Sequence, residues 1–172
     1  MAFWQALRIG GDEVEGFTTL GAMTRAADVV GVGRIVSFDL GRMIQGGTPE
    51  DIVGYGAAKL ELDEAIGGPA QVEPITLEFL LPGHPDNYKA MVKDLQGSVP
   101  VGPVLVFLRH KGGNEAGLFR LVNSRGLWTS TPRSGVDAPL TEAGGVDFYG
   151  HEIGDFTELD QLVAYVKSQS GP

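Results

Sequence analysis

Two short stretches decide what kind of fold this chain can adopt. In "AAKLELDEA", Ala58, Leu60 and Leu62 alternate with Lys59, Glu61 and Asp63. In "ITLEFLL", Ile75, Leu77 and Phe79 take one side of the backbone. A period of two puts successive side chains on opposite faces of an extended chain, so each stretch reads as a strand with one face on a core and one in water. "GPVLVFLRHKGGNEAGLFRLVN" adds strand, glycine-rich turn and strand, the pattern of a hairpin. Turns this short join antiparallel neighbours, so the expected fold is built on antiparallel pairs.

The remaining segments are placed around that frame. "TTLGAMTRAAD" predicts a short helix capped by Thr18 or Thr19, with Leu20, Met23 and Ala27 at helical spacing. "VVGVGRIVSFDLGR" predicts a buried strand, with Val30 and Val32 on one face and Val29 and Ile35 on the other. A long loop is expected over 41–53. "PGHPDNYKAMVKDLQGSVP" predicts a helix capped by Asp86, with Tyr88, Met91, Val92 and Leu95 as its apolar stripe. "SRGLWTST" predicts a last short strand, and 131–155 an irregular segment. "DFTELDQLVAYVKSQ" predicts a final helix capped by Thr157, with Asp160 at the capping-box position and Leu159, Leu162, Val163 and Val166 on its buried face. The expectation is a mainly β fold with α. It is a small antiparallel barrel of five or six strands with flanking helices, one of them C-terminal. Residues 1–17 form an N-terminal arm, 18–130 the barrel domain, and 131–172 a segment packed on the same domain. Val30, Val32, Leu60, Leu62, Leu77, Phe79, Leu105, Phe107 and Leu121 are expected to point into the barrel.

Size and charge narrow the function. With 172 residues the chain can build one full core. Its net charge of −9 repels phosphate backbones and anionic lipid, which argues against nucleic acid and membrane as partners. There is no cysteine, so disulfides, thiolate metal sites and cysteine nucleophiles are excluded. No signal peptide and no long apolar span are visible, so a cytoplasmic protein or a virion component is expected. Only 5 of the 13 basic residues are lysine, and glycine and alanine are common, which fits a bacterial or phage origin.

Several motifs suggest chemistry and fall short of it. "GVG" at 31–33 begins like a dinucleotide fingerprint, but position 36 is Val36 and strand continues where a helix would have to start. These glycines are expected to let the strand coil or a neighbour approach closely, as in a tightly curved barrel. "DFYGHEIGD" offers Asp147, His151, Glu152 and Asp155 for a divalent metal, without the second histidine of a zinc helix. Glu61, Asp63 and Glu78 could gather on one outer face, which a solvated strand surface also explains. No serine sits in a nucleophile elbow. Tyr55, Phe107, Phe119 and Trp128 could stack bases, but "FLRHK" is the one local basic run.

The string of elements carries a resemblance. A helix ending at Ala27-Asp28 is followed by "VVGVGRIVS", "AKLELDEAIGGP", "ITLEFLLPG", "VPVGPVLVFLR" and "LFRLVNSRGLW". Over residues 18–130 this order resembles the netrin-like, or tissue-inhibitor-of-metalloprotease-like, branch of the OB barrels. The resemblance implies an OB-like barrel. Members that inhibit proteases use an N-terminal cysteine on the enzyme's zinc, and this chain has none, so that route is not implied.

The function expected is that of a non-catalytic protein-interaction module, an accessory or structural part of a larger bacterial or phage assembly. No cofactor is expected, and the partner is another protein or a second copy of the chain. Phe3, Trp4, Leu7 and Ile9 in the arm are the candidate contact residues. Left solvated, each would forgo about 1.5–3 kcal/mol, so they must bury on the chain's own barrel or on a partner. Two alternatives stay open: an inhibitor-like binder of another enzyme, and a small metal-dependent hydrolase using the 147–155 cluster.

Overall fold

The computed structural model describes residues 2–9, 15–48, 50–69, 73–115, 117–131, 135–141, 146–153 and 156–170. The alternating stretches form strands as expected, and the two longest are adjacent in sequence. β1 (Val29–Gln45) runs antiparallel along β2 (Ile52–Gly67), and β2 along β3 (Ile75–Leu80). β4 (Val104–His110) and β5 (Leu118–Leu121) make the expected hairpin. β6 (Leu127–Thr131) and β7 (Gly135–Asp137) extend the sheet beyond β4. The order is β1-β2-β3-β5-β4-β6-β7, and β4 also pairs with β1. Strands β1, β2, β3, β5 and β4 therefore close a ring.

A ring with an odd number of strands cannot be antiparallel throughout. The parallel seam lies between β3 and β5, where Thr76 meets Leu118 and Leu77 meets Phe119. The purely antiparallel expectation is corrected at this one pair.

Five helices surround the sheet among the described residues: α1 (Ala2–Ala6), α2 (Leu20–Ala26), α3 (Tyr88–Gln96), α4 (Val146–Ile153) and α5 (Leu159–Gln169). The Thr19 hydroxyl caps α2, accepting from the Ala22 amide at 3.0 Å. Asp86 does not cap α3. It lies inside a 3-10 turn, Pro85–Asn87, whose first amide meets the His84 ring at 3.4 Å. In α5 the capping box is shifted by one residue from the expected pair, and Glu158 and Gln161 form it.

Two segments are more ordered than their composition suggests. β1 continues through Met43, Ile44 and Gln45 and β2 begins at Ile52, so strand takes up both ends of the expected 41–53 loop. Met43, Ile44 and Gln45 are exposed on both faces of a two-stranded ribbon, which removes the alternation that marks a half-buried strand. The 131–155 stretch contains β7 and α4. Glycines disfavour helix there, and burial of Tyr149 and Ile153 supplies what propensity does not.

The core has two layers that share β4. Val104, Val106 and Leu108 point into the ring with Ile35, Phe38, Leu60, Leu77, Phe79 and Phe119. Leu105 and Phe107 point the other way and pack with Val30, Trp128 and the buried faces of α2, α4 and α5. Of the residues expected inside the ring, Leu60, Leu77 and Phe79 belong there, and Leu62 and Leu121 are half-buried at its margin. Val30, Val32, Leu105 and Phe107 belong to the helix-covered layer instead. A strand buried on both faces is apolar at every position, so its sequence cannot say which face is inside.

The "GVG" stretch lies in β1, as expected, with β2 pressed against it. A Cβ at Gly33 would run into the Glu61 carbonyl.

Candidate binding face

The outer surface of β1, β2 and β3 carries a charged network built on one buried carboxylate. Glu78 lies between Leu77 and Phe79, whose side chains enter the ring. Alternation turns Glu78 outward, yet its side chain is only 2% exposed. Burying an ionised carboxylate is costly unless it is paired and hydrogen-bonded. Here Arg42 donates through Nε at 2.9 and 3.1 Å and through Nη2 at 2.9 Å. Lys111 donates to the same carboxylate at 2.7 Å.

Local irregularity positions the arginine. The β1–β2 register passes from Leu40 opposite Gly56 to Met43 opposite Gly54, which leaves Gly41 and Arg42 facing the single residue Tyr55. The bulge swings Arg42 over the Tyr55 ring, 4.9 Å from its centroid. Lys111, just past β4, reaches the same ring at 4.1 Å. Arg42 also donates to Glu115 on the 111–117 connection. Hydrogen bonds to Glu115 and Glu78 push the Arg42 guanidinium further above its already high range. Arg42 in turn lowers the Glu115 carboxyl. Two cations and two anions thus balance around one aromatic ring.

Beside this network lies an exposed apolar row. Ile44 pairs with Val53, and Tyr55, two residues along β2, pairs with Leu80, so all four share one face. Ile44, Val53 and Leu80 are 41%, 36% and 39% exposed. The arrangement offers exposed apolar contact surface, and its two carboxylates, Glu78 and Glu115, are both paired with cations.

The sequence-derived candidates lie elsewhere. Phe3, Trp4 and Leu7 are buried in the ring core of their own chain, and Ile9 is 45% exposed. Phe3 packs edge-on against Trp4 and Phe38 at 4.9 and 5.2 Å. In the 147–155 cluster, His151 is exposed on α4, and the Glu152 carboxylate is spent on packing helices together. One of its oxygens accepts from the Leu20 amide at 2.8 Å, at the start of α2, and the other from the Tyr165 hydroxyl at 2.9 Å. Asp155 and the side chain of Asp147 lie outside what is described. Among the described residues no three metal-ligating side chains gather. Glu61, Asp63 and Glu78 are not one acidic cluster: Asp63 pairs with Arg34, and Glu78 with Arg42 and Lys111. Phe107, Phe119 and Trp128 are core residues, while Tyr55 is the aromatic on the outer face.

Arg42 and Glu115 were not legible as site residues, because three separate segments bring the network together. The one signal was Glu78 itself, a lone acid in an apolar strand. No helix among the described residues is long and apolar enough to cross a membrane. No protein-family model, curated protein or solved structure matches the chain.

Proposed function

We propose that this protein is a non-catalytic binding module, an OB-like barrel that docks another protein on the outer face of β1, β2 and β3. The observation that carries the reading is the exposed row of Ile44, Val53 and Leu80 set against the Arg42–Tyr55–Lys111–Glu78 network. Contiguous apolar surface rimmed by charge marks interaction sites on soluble proteins. The network fixes its side chains before a partner arrives, which lowers the ordering cost of association.

The barrel assignment is supported by the five-strand ring, by α3 between β3 and β4, and by the parallel β3–β5 seam. On OB barrels the face of the second and third strands and the connections beside it are where ligands bind. The net charge of −9 disfavours nucleic acid on that face and leaves protein as the partner. An accessory or structural place in a larger assembly fits a module of this kind.

The test compares affinity capture by the wild type and by an Ile44→Asp/Leu80→Asp double variant in extract of the native cells. The reading expects a protein retained by the wild type and lost by the variant, at equal melting temperature. Identical capture by both would refute it.

A further inference from the structure

A second polar arrangement lies on β4 and β5, outside the face described above. Arg109 and Arg120 stand directly opposite each other on these antiparallel strands. Like charges in such positions repel, and an anion between them relieves the repulsion. Glu15 supplies it. One carboxylate oxygen accepts from Arg109 Nη2 at 2.7 Å and the other from Arg120 Nη2 at 2.8 Å. The two hydrogen bonds and the two positive charges hold the Glu15 carboxyl below its ordinary range, with Arg120 the larger influence.

The donors around this carboxylate exceed what it uses. Arg120 also spends Nη1 on the carbonyls of Leu121 and Val122, which fixes its guanidinium independently of Glu15. Arg109 Nε is buried and has no hydrogen-bond partner among the described residues. The backbone of the Glu15 segment is held separately: Asn123 donates to the Glu15 carbonyl at 3.1 Å, and Tyr149 to the Phe17 carbonyl at 3.0 Å. The Glu15 side chain can therefore leave by rotating, without unfolding its segment. The site is open to solvent, with Arg120 42% and Glu15 26% exposed.

We propose that Arg109 and Arg120 form a carboxylate-binding site, filled here in cis by Glu15, that an acidic side chain of a partner protein fills in trans. Glu15 is then a built-in competitor. A tethered carboxylate has a high effective concentration, so a lone external acid loses to it, and only a partner held by further contacts displaces it. The two guanidinium groups present one Nη2 donor to each oxygen of a carboxylate, and Arg120 is held in place without Glu15, an arrangement that discriminates against monovalent halides.

The experiment follows melting of the full-length wild type, Glu15→Ala and Glu15→Ala/Arg120→Ala. Each is measured in acetate, inorganic phosphate or chloride at matched ionic strength in the tens of millimolar. Acetate should raise the melting temperature of Glu15→Ala by about 2 °C over chloride, and leave the wild type and the double variant unchanged. An acetate effect absent from Glu15→Ala, or equal in the double variant, would mean that Glu15 is only a structural clamp and would overturn the proposal. A larger shift with phosphate than with acetate would overturn the assignment to carboxylates.

Discussion

Arg42 and Glu78 are two strands apart in the sheet, on β1 and β3, and meet across the intervening β2 in a forked ion pair. The pair is possible because a bulge in β1 redirects the arginine over Tyr55. It fixes the outer face of three strands at once. Replacing Glu78 by Ala leaves Arg42 and the nine-tenths-buried Lys111 without their shared anion. Breaking such a pair from one side costs about 3–5 kcal/mol. Arg42 is 27% exposed, so solvent compensates in part and the lower end of that range is expected. Urea titration of Glu78→Ala against the wild type reads the value, and a loss below about 0.5 kcal/mol would show that the pair is fully screened.

The N-terminal arm belongs to the ring core. Trp4 and Phe79 have ring centroids 6.3 Å apart, and Trp4 is 5% exposed. Trp4→Ala should therefore cost about 3–5 kcal/mol. Removing residues 1–9 should lower the melting temperature in the same way, because Phe3 and Leu7 leave with it. Unchanged melting of the truncated protein would place these side chains outside the core.

Much of this fold was legible because hydrophobic periodicity is local. The stripe of α5, the Thr19 cap and the alternation of β2 and β3 can each be read within a few residues. What was hidden depends on partners distant in sequence. α1 is five residues long and too short to be helical on its own, so the arm's shape comes from its packing on Phe38 and Phe79. The assignment of Val30, Leu105 and Phe107 to the helix-covered layer required knowing that α2, α4 and α5 stack there. The candidate face was the least legible part. Glu78 read as one acid of a solvated strand face with Glu61 and Asp63, and its two cations come from a bulge in β1 and from just past the end of β4.

The two-layer core gives a paired prediction. Leu105 is fully buried between β4 and the helices, so Leu105→Ala should cost about 2–5 kcal/mol. Leu62 is only half-buried, and Leu62→Ala should cost about 1–2 kcal/mol. Denaturant unfolding of the two variants reads the order directly. An equal or larger loss for Leu62→Ala would contradict the assignment of faces.

Asp137 and Glu15 respond to pH in opposite senses. Burial raises the Asp137 carboxyl above its ordinary 3.8, against the pull of Arg8. Its charged form is disfavoured in the folded state, so it costs stability above the raised value, and that cost disappears as pH falls below 3.8. Asp137→Asn should melt higher than the wild type at pH 7, with the difference vanishing in acid. The Glu15 carboxyl is held below its ordinary 4.5, so its contribution is full above that value and is lost as pH falls through the depressed one. Glu15→Gln should melt lower than the wild type at pH 7 and converge with it in acid. Melting curves from pH 2 to about 7 check both signs, and a Glu15→Gln deficit that persists below the depressed value would contradict the pairing.

The central claim, that the outer face of β1, β2 and β3 receives a protein, is tested most directly by site-specific photo-crosslinking. A photoreactive residue replaces Val53 on the proposed face, or Lys89 on the exposed side of α3 as control, and each protein is irradiated in extract of the native cells. A docking face there gives one dominant adduct from position 53 that is absent from position 89 and is suppressed by Leu80→Asp in the same chain. Equal adducts from both positions, or an adduct at 53 untouched by Leu80→Asp, would contradict it.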